Sequence, residues 1–245
     1  GGRVARLTCG RPRRAGEGNE RFMSPDDRAP AAILDIDGTL IDSVYQRALA
    51  WHRAFRLHGH HVPAWRVHRS IGMGGDELIG ALLGEEIRER QGEAIKAAEK
   101  GLYAALLDEV APLPGAHELL QDLRDRGNRT VLASSARPDE VDHYIDLLEA
   151  RDLVDAWTTG GDVEHAKPEP DLVVAALEKV GGGPAVMIGD STWDCEAAGR
   201  VGVRSIGVLT GGFCRSELIS AGAELVYESL DELRADLGAA MLARS

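Results

Sequence analysis

The sequence predicts an α/β fold, a doubly wound parallel sheet with an inserted all-helical domain. Three observations carry that expectation. Short apolar runs that end in an acid or a serine recur along the chain, at AAILD, RTVLAS and AVMIGD. Amphipathic helical patterns alternate with such runs through the second half. Between the first run and the rest lies a long stretch whose apolar residues keep helical spacing only, the signature of a module inserted into an α/β domain.

The elements follow in order. Residues 31–34 form the first strand, which delivers Asp35 and Asp37 into a Gly-Thr turn. Residues 43–58 carry Val44, Ala48, Trp51, Ala54, Phe55 and His58 at helical spacing, and Gly59 ends the run. HVPAWRVHRSIG predicts a short helix, and Asp76 is placed to cap another through DELIGALLG. Residues 85–107 predict a long charged helix interrupted at Gly92 and Gly101. Pro112, Pro114 and Gly115 then mark the return to alternation: helix HELLQDLRDRG, strand RTVLASS, helix DEVDHYIDLLEA, a short strand AWTTGGD and helix DLVVAALEKVG. Strand AVMIGD, a helix through Asp194, strand RSIGVL, a polar helix, strand ELVYES and a final amphipathic helix over 230–242 complete the chain. Right-handed helical crossovers between parallel strands satisfy this pattern most economically. The expected organisation is a Rossmann-like core over residues 31–44 and 111–245, a helical cap over 45–110, and a disordered basic tail over 1–30.

Composition narrows the function classes. A formal charge of −12 opposes general nucleic-acid affinity, which needs cations to replace phosphate counterions. Residues 1–22 hold six Arg against two acids, and having no apolar periodicity they are expected to act as a tail rather than a nucleic-acid arm. No apolar run is long enough to cross a bilayer, so no membrane partner and a cytoplasmic location are expected. Three scattered cysteines, Cys9, Cys195 and Cys214, suit neither a disulfide framework nor a zinc site.

In an open parallel sheet, ligands bind beyond the carboxyl ends of the strands where strand order reverses. Asp35, Asp37, Ser134 and Asp190 all fall at such ends, and Asp194, four residues past Asp190, projects from the same face if a helix has begun. Acids gathered in one crevice repel one another and call for a cation; a site of oxygen ligands suits Mg²⁺ better than zinc. Lys167, in HAKPEPD, is one of only four lysines and supplies fixed positive charge. Acids, a lysine and a hydroxyl suit phosphoryl transfer, which depends on positioning and charge neutralisation.

The ordered set DIDGT, LAS, KPEPD and GDSTWD resembles the four motifs of the haloacid dehalogenase superfamily, in its phosphatase-like branch with a helical cap, from residue 31 to the C-terminus. The resemblance implies that Asp35 is a nucleophile forming an aspartyl-phosphate and that Asp37 is the general acid and base. It implies Mg²⁺ held by Asp35, the backbone carbonyl of Asp37 and Asp190, with Asp194 as a further ligand or a partner of one. Ser134 and Lys167 would hold the phosphoryl oxygens. The expected substrate is a small phosphorylated metabolite of the phosphoglycolate or sugar phosphate type, handled by a monomer or dimer. In relatives the cap selects the substrate, and here RSIGMGGDEL is the expected substrate loop, with Arg69 reaching the leaving group.

Three rivals stand beside hydrolysis. A phosphomutase of the β-phosphoglucomutase kind would share all four motifs. A non-catalytic binding protein is opposed by the intact Asp35 and Asp37. Phosphonate cleavage would need a cap lysine, and Lys96 and Lys100 read as a solvated helix face. Asp42 is expected to cap the following helix, Trp51 and Trp65 to fill the cap core, and His58, His60 and His61 to lie on the surface.

Overall fold

In the computed structural model, residues 29–242 are described. Of the expected basic tail, residues 1–28 lie outside them. Six strands form one parallel sheet: β1 (Ala31–Leu34), β4 (Thr130–Ala133), β5 (Ala156–Thr158), β6 (Ala185–Gly189), β7 (Arg204–Val208) and β8 (Ala223–Tyr227). Their order is β5-β4-β1-β6-β7-β8. The chain therefore builds outward from β1 on one side and then crosses back to build on the other. That reversal leaves β1 between β4 and β6, with Leu34 opposite both Leu132 and Ile188. The residues that follow these three strands emerge side by side at one edge.

Both faces of the central strands are buried, which is why they read as continuous apolar runs rather than alternating ones. Ala32 and Leu34 face one layer with Leu132, Val186 and Ile188, covered by α5 (Ala116–Asp125) and α6 (Pro138–Leu147). Ile33 faces the other, with Val131, Met187 and residues of α7 (Asp171–Lys179) and α8 (Thr192–Arg200). At the β7–β8 side, α9 (Arg215–Ser220) closes a smaller cluster around Leu218 and Val226.

Between residues 43 and 110 the chain makes four α-helices: α1 (Val44–Leu57), α2 (Ala64–His68), α3 (Gly75–Leu83) and α4 (Glu85–Ala104). They share an apolar cluster of their own, including Trp51, Phe55, Val67, Leu78, Ile79 and Ile95. A two-residue ladder, β2 (Ile41–Asp42) against β3 (Ala111–Pro112), joins entry and exit at the base of this bundle. Further bonds hold the bundle down on the sheet edge: the Gly74 N–H donates to the Lys167 carbonyl at 3.4 Å and the Ala166 N–H to Glu77 at 3.2 Å.

Several local expectations are corrected. The long helix α4 runs unbroken through Gly92 and Gly101. Each glycine costs about 1 kcal/mol of helix propensity, and packing of the buried Ile95 and Tyr103 on neighbouring elements outweighs it. Asp76 lies within the first turn of α3, whose N-cap is Gly74. Asp42 is an exposed residue of β2, and Ser43 takes the N-cap position of α1. Trp65 is 69% exposed, so only Trp51 of the pair joins the cluster. The final helix divides at Asp236 into α10 (Leu230–Ala235) and α11 (Leu237–Ala240).

Candidate active site

The loop after β1 sets the site. The N–H groups of Thr39, Leu40 and Ile41 converge on the Ile36 carbonyl at 3.2, 2.9 and 3.0 Å, folding residues 36–41 into one tight turn. Gly38 makes this possible with φ +86°, and a Cβ there would lie 2.6 Å from Asp190 Oδ2. Only glycine meets both demands. A Cβ on Gly211 would fall 1.6 Å from the same oxygen, so Asp190 rests in a cradle of two glycines.

The turn presents Asp35 to Asp190 and Asp194, and one oxygen from each of these three buried acids lies within 4.8 Å of the others. Lys167, fully buried, donates to Asp35 Oδ1 at 2.5 Å and to the Ala133 carbonyl at 3.1 Å, and its Nζ lies 2.7 Å from Asp194 Oδ1. Thr39 donates to Asp190 Oδ1 at 2.9 Å, and Ser191 donates to Asp194 Oδ2 at 2.6 Å. Burial pushes the Asp35 carboxyl up to about 7 against the opposing pull of Lys167. Burial, then Asp194 and Asp35, hold Asp190 well above the ordinary range. Burial works against the Lys167 ammonium, but Asp194 and Asp35 overcome it and leave the group above the usual lysine value.

One lysine against three acids leaves an excess of buried negative charge, and every side-chain donor atom of the triad is oxygen. That chemistry fits a hard divalent cation such as Mg²⁺, and the glycine cradle keeps space for Asp190 beside it.

Asp37 is held separately from the triad. Its Oδ1 accepts from Ser43 at 2.6 Å, from Tyr144 at 3.2 Å and from Arg47 at 3.2 Å. Arg47 is itself 9% exposed, pairs with Glu140 at 3.1 Å and Glu99 at 3.5 Å, and stacks 3.8 Å from the Tyr103 ring centre. Arg137 adds a second cation, 2.8 Å from Glu99 and in contact with Glu140. Burial pushes the Tyr103 hydroxyl up to about 12 and lifts Tyr144 as well, so both phenols stay protonated. This network, spanning α1, α4 and α6, was missed in the sequence. The one legible signal is that Arg47 follows Ser43 by four residues and so shares its helix face.

Above Asp35 and Asp37, under the helical bundle, lies a cavity of about 390 Å³. Of the two adjacent serines, Ser135 lines it, while Ser134 sits 1% exposed just past the end of β4 with its Oγ accepting the Ala136 N–H at 3.0 Å. The structure does not bring Arg69 to this cavity. Its guanidinium lies at the end of α2 over the Phe213 ring and pairs with Glu217 of α9 at 2.6 Å, so its charge is spent on joining the bundle to the core. Lys96 and Lys100, read from sequence as a solvated face, both line the cavity; Lys100 is also exposed, whereas Lys96 is half-buried. Lys96 is 2.7 Å from both Asp76 and Glu93, and despite partial burial these partners hold its ammonium above the usual value. A protonated lysine of this kind is unsuited to imine chemistry. Trp51 is buried in the bundle cluster and also lines the cavity.

A parallel α/β sheet with buried acids and a lysine at its switch point, roofed by helices, defines an α/β protein with a candidate catalytic site at its strand ends. Comparison with known proteins then fixes the family: the model for haloacid dehalogenase-like hydrolases matches residues 29–202, and the chain belongs to that family. Validoxylamine A 7'-phosphate phosphatase of Streptomyces hygroscopicus subsp. limoneus is 28% identical over 217 residues, which is 83% of this chain and 95% of that protein. Phosphoglycolate phosphatase of Vibrio parahaemolyticus is 32% identical, over 82% of this chain and 92% of its own length. Among solved structures, a hydrolase from Pseudomonas syringae superposes with a TM-score of 0.81 at 35% identity, covering 86% of this chain and 98% of that one. Both curated relatives are phosphatases by name, and the chain is an enzyme of this phosphatase-like group.

Proposed function

We propose that the protein is a Mg²⁺-dependent phosphatase that hydrolyses a small phosphorylated metabolite, of the phosphoglycolate or sugar phosphate type, through an aspartyl-phosphate at Asp35. The observation that carries this reading is the division of labour between the two acids of the first loop. Asp35 shares its environment with a lysine and two further acids, whereas Asp37 is oriented by Ser43, Arg47 and Tyr144.

An oxygen of Asp35 attacks phosphorus and the bond to the leaving oxygen breaks. Asp37 gives its proton to that oxygen. A water then attacks the phosphorus of the acyl phosphate, Asp37 takes its proton, and the bond to Asp35 breaks to release inorganic phosphate. Asp35, Asp190, Asp194 and the backbone carbonyl of Asp37 are the groups that would hold Mg²⁺, which when bound offsets charge on the phosphoryl group and the acids. Lys167 holds a phosphoryl oxygen and favours the charged form of Asp35 against the effect of burial. Ser134 spends its oxygen on the Ala136 N–H, so its proton remains to donate to the phosphoryl group. The helical bundle excludes bulk water during transfer.

Phosphate release from a panel of small phosphoesters, with Mg²⁺ and with EDTA, tests the reading. Release that requires Mg²⁺ and disappears in Asp35→Asn is expected. Isomer interconversion stimulated by a bisphosphate, with little phosphate released, would replace hydrolysis by mutase chemistry.

A further inference from the structure

The cavity over Asp35 and Asp37 carries information about the leaving group, because its cations are already engaged. Four cationic side chains line it: Arg47, Lys96, Lys100 and Arg137. Lys96 lies 2.7 Å from Asp76 and from Glu93, and Lys100 lies 2.9 Å from Asp139. Arg137 is held by Glu99 and Glu140, and Arg47 by Asp37 and Glu140. Six carboxylates thus serve four cations, and among the described residues no lining cation is left to meet a second anion on the substrate. Three of those carboxylates, Asp37, Glu93 and Glu140, line the cavity themselves. A carboxylate in the leaving group would be placed against them and would have to break an existing pair to find a partner, which is how like charge rejects a ligand.

Hydroxyl groups face no such penalty. A hydroxyl donates to a carboxylate and accepts from an ammonium or guanidinium at once, so the pairs Lys96–Glu93 and Arg137–Glu140 each offer both halves of what it needs. The volume agrees: about 390 Å³ falls in the range of roughly 300–1,000 Å³ that encloses ligands of drug-like size and exceeds what a two-carbon acid fills. Trp51, Ile71 and Met73 give the same cavity an apolar wall for the carbon face of a ring.

We infer that the leaving group is neutral and polyhydroxylated, a sugar or cyclic polyol, and that Lys96 with Glu93 is a specificity-determining pair that disfavours carboxylate-bearing phosphoesters. This rests on the phosphatase reading above and selects between its two substrate types.

The test is the ratio of kcat/KM values with Mg²⁺, for hexose, pentose and inositol monophosphates against phosphoglycolate and 3-phosphoglycerate, with p-nitrophenyl phosphate as a generic substrate. A ratio is insensitive to the fraction of active enzyme. The best neutral-group substrate should exceed both carboxylates by about tenfold or more. In the variants Glu93→Gln and Asp76→Asn/Glu93→Gln, which release Lys96, the ratio should move toward phosphoglycolate by about tenfold, a gain that simple destabilisation would not produce. Equal or better turnover of phosphoglycolate by the parent enzyme overturns the inference and leaves the phosphatase reading standing. No phosphate released from any ester, p-nitrophenyl phosphate included, sinks both.

Discussion

Replacing Arg47 by Met removes a cation from the most heavily charged buried network in the described chain. Arg47 and Arg137 together answer Asp37, Glu99 and Glu140, which are 9%, 0% and 6% exposed. Without Arg47, Asp37 loses its only close cation in this network, and Glu99 and Glu140 are left to share Arg137. Removing one partner of a buried ion pair costs about 3–5 kcal/mol, because the remaining charge stays buried and unpaired. A domain of this size loses about 2–4 °C in Tm per kcal/mol, so a drop of roughly 6–20 °C is expected. Thermal melts and urea titrations of the metal-free protein measure it. Arg47→Lys, which keeps the charge but loses the forked geometry and the stacking on Tyr103, should fall between parent and Met variant. A Met variant melting within about 2 °C of the parent would refute the view of this network as a buried, interdependent set.

Two further predictions concern the acids of the candidate metal site. Asp35 is held up to about 7, above its ordinary value of 3.8, so in the metal-free protein its contribution to stability is full below 3.8 and is lost as pH rises through 7. Mg²⁺ must compete with that proton on the acid side, so the Tm increase caused by Mg²⁺ should grow between about pH 5 and about pH 8; a constant increase would contradict the assigned ligand. Gly38→Ala would force a Cβ to within 2.6 Å of Asp190 Oδ2 at φ +86°. Calorimetry should show Mg²⁺ affinity reduced by about tenfold or more, comparable to losing a group that supports a ligand, and an unchanged isotherm would count against the cradle.

The fold class was legible because its signals are local. The runs at β1, β4 and β6 are apolar on both faces and each stops at a polar residue, so their parallel pairing and the shared edge follow from pattern alone. The acids and Lys167 were legible for a related reason: a carboxylate at a buried strand end has no structural use that offsets its desolvation. What escaped the sequence depends on tertiary direction. A helix with Lys, Glu and Arg at i, i+3 and i+4 reads as solvated, yet α4 turns Lys96 and Lys100 toward the cavity. Arg69 has the residue type a substrate loop needs, but whether it points at the cavity or at Glu217 is decided by how α2 docks beside α9. The placing of α1 beside α4 and α6 likewise fixes Arg47 against Asp37 and Glu140, which lie 10 and 93 residues away along the chain.

The central claim is covalent catalysis by Asp35, and the most direct measurement is acid-quenched mass spectrometry of enzyme turning over a phosphoester with Mg²⁺. A phosphoryl group on the peptide containing Asp35, absent from Asp35→Asn together with turnover, is predicted. Undiminished phosphate release by Asp35→Asn, or a label carried by any other residue, would contradict it.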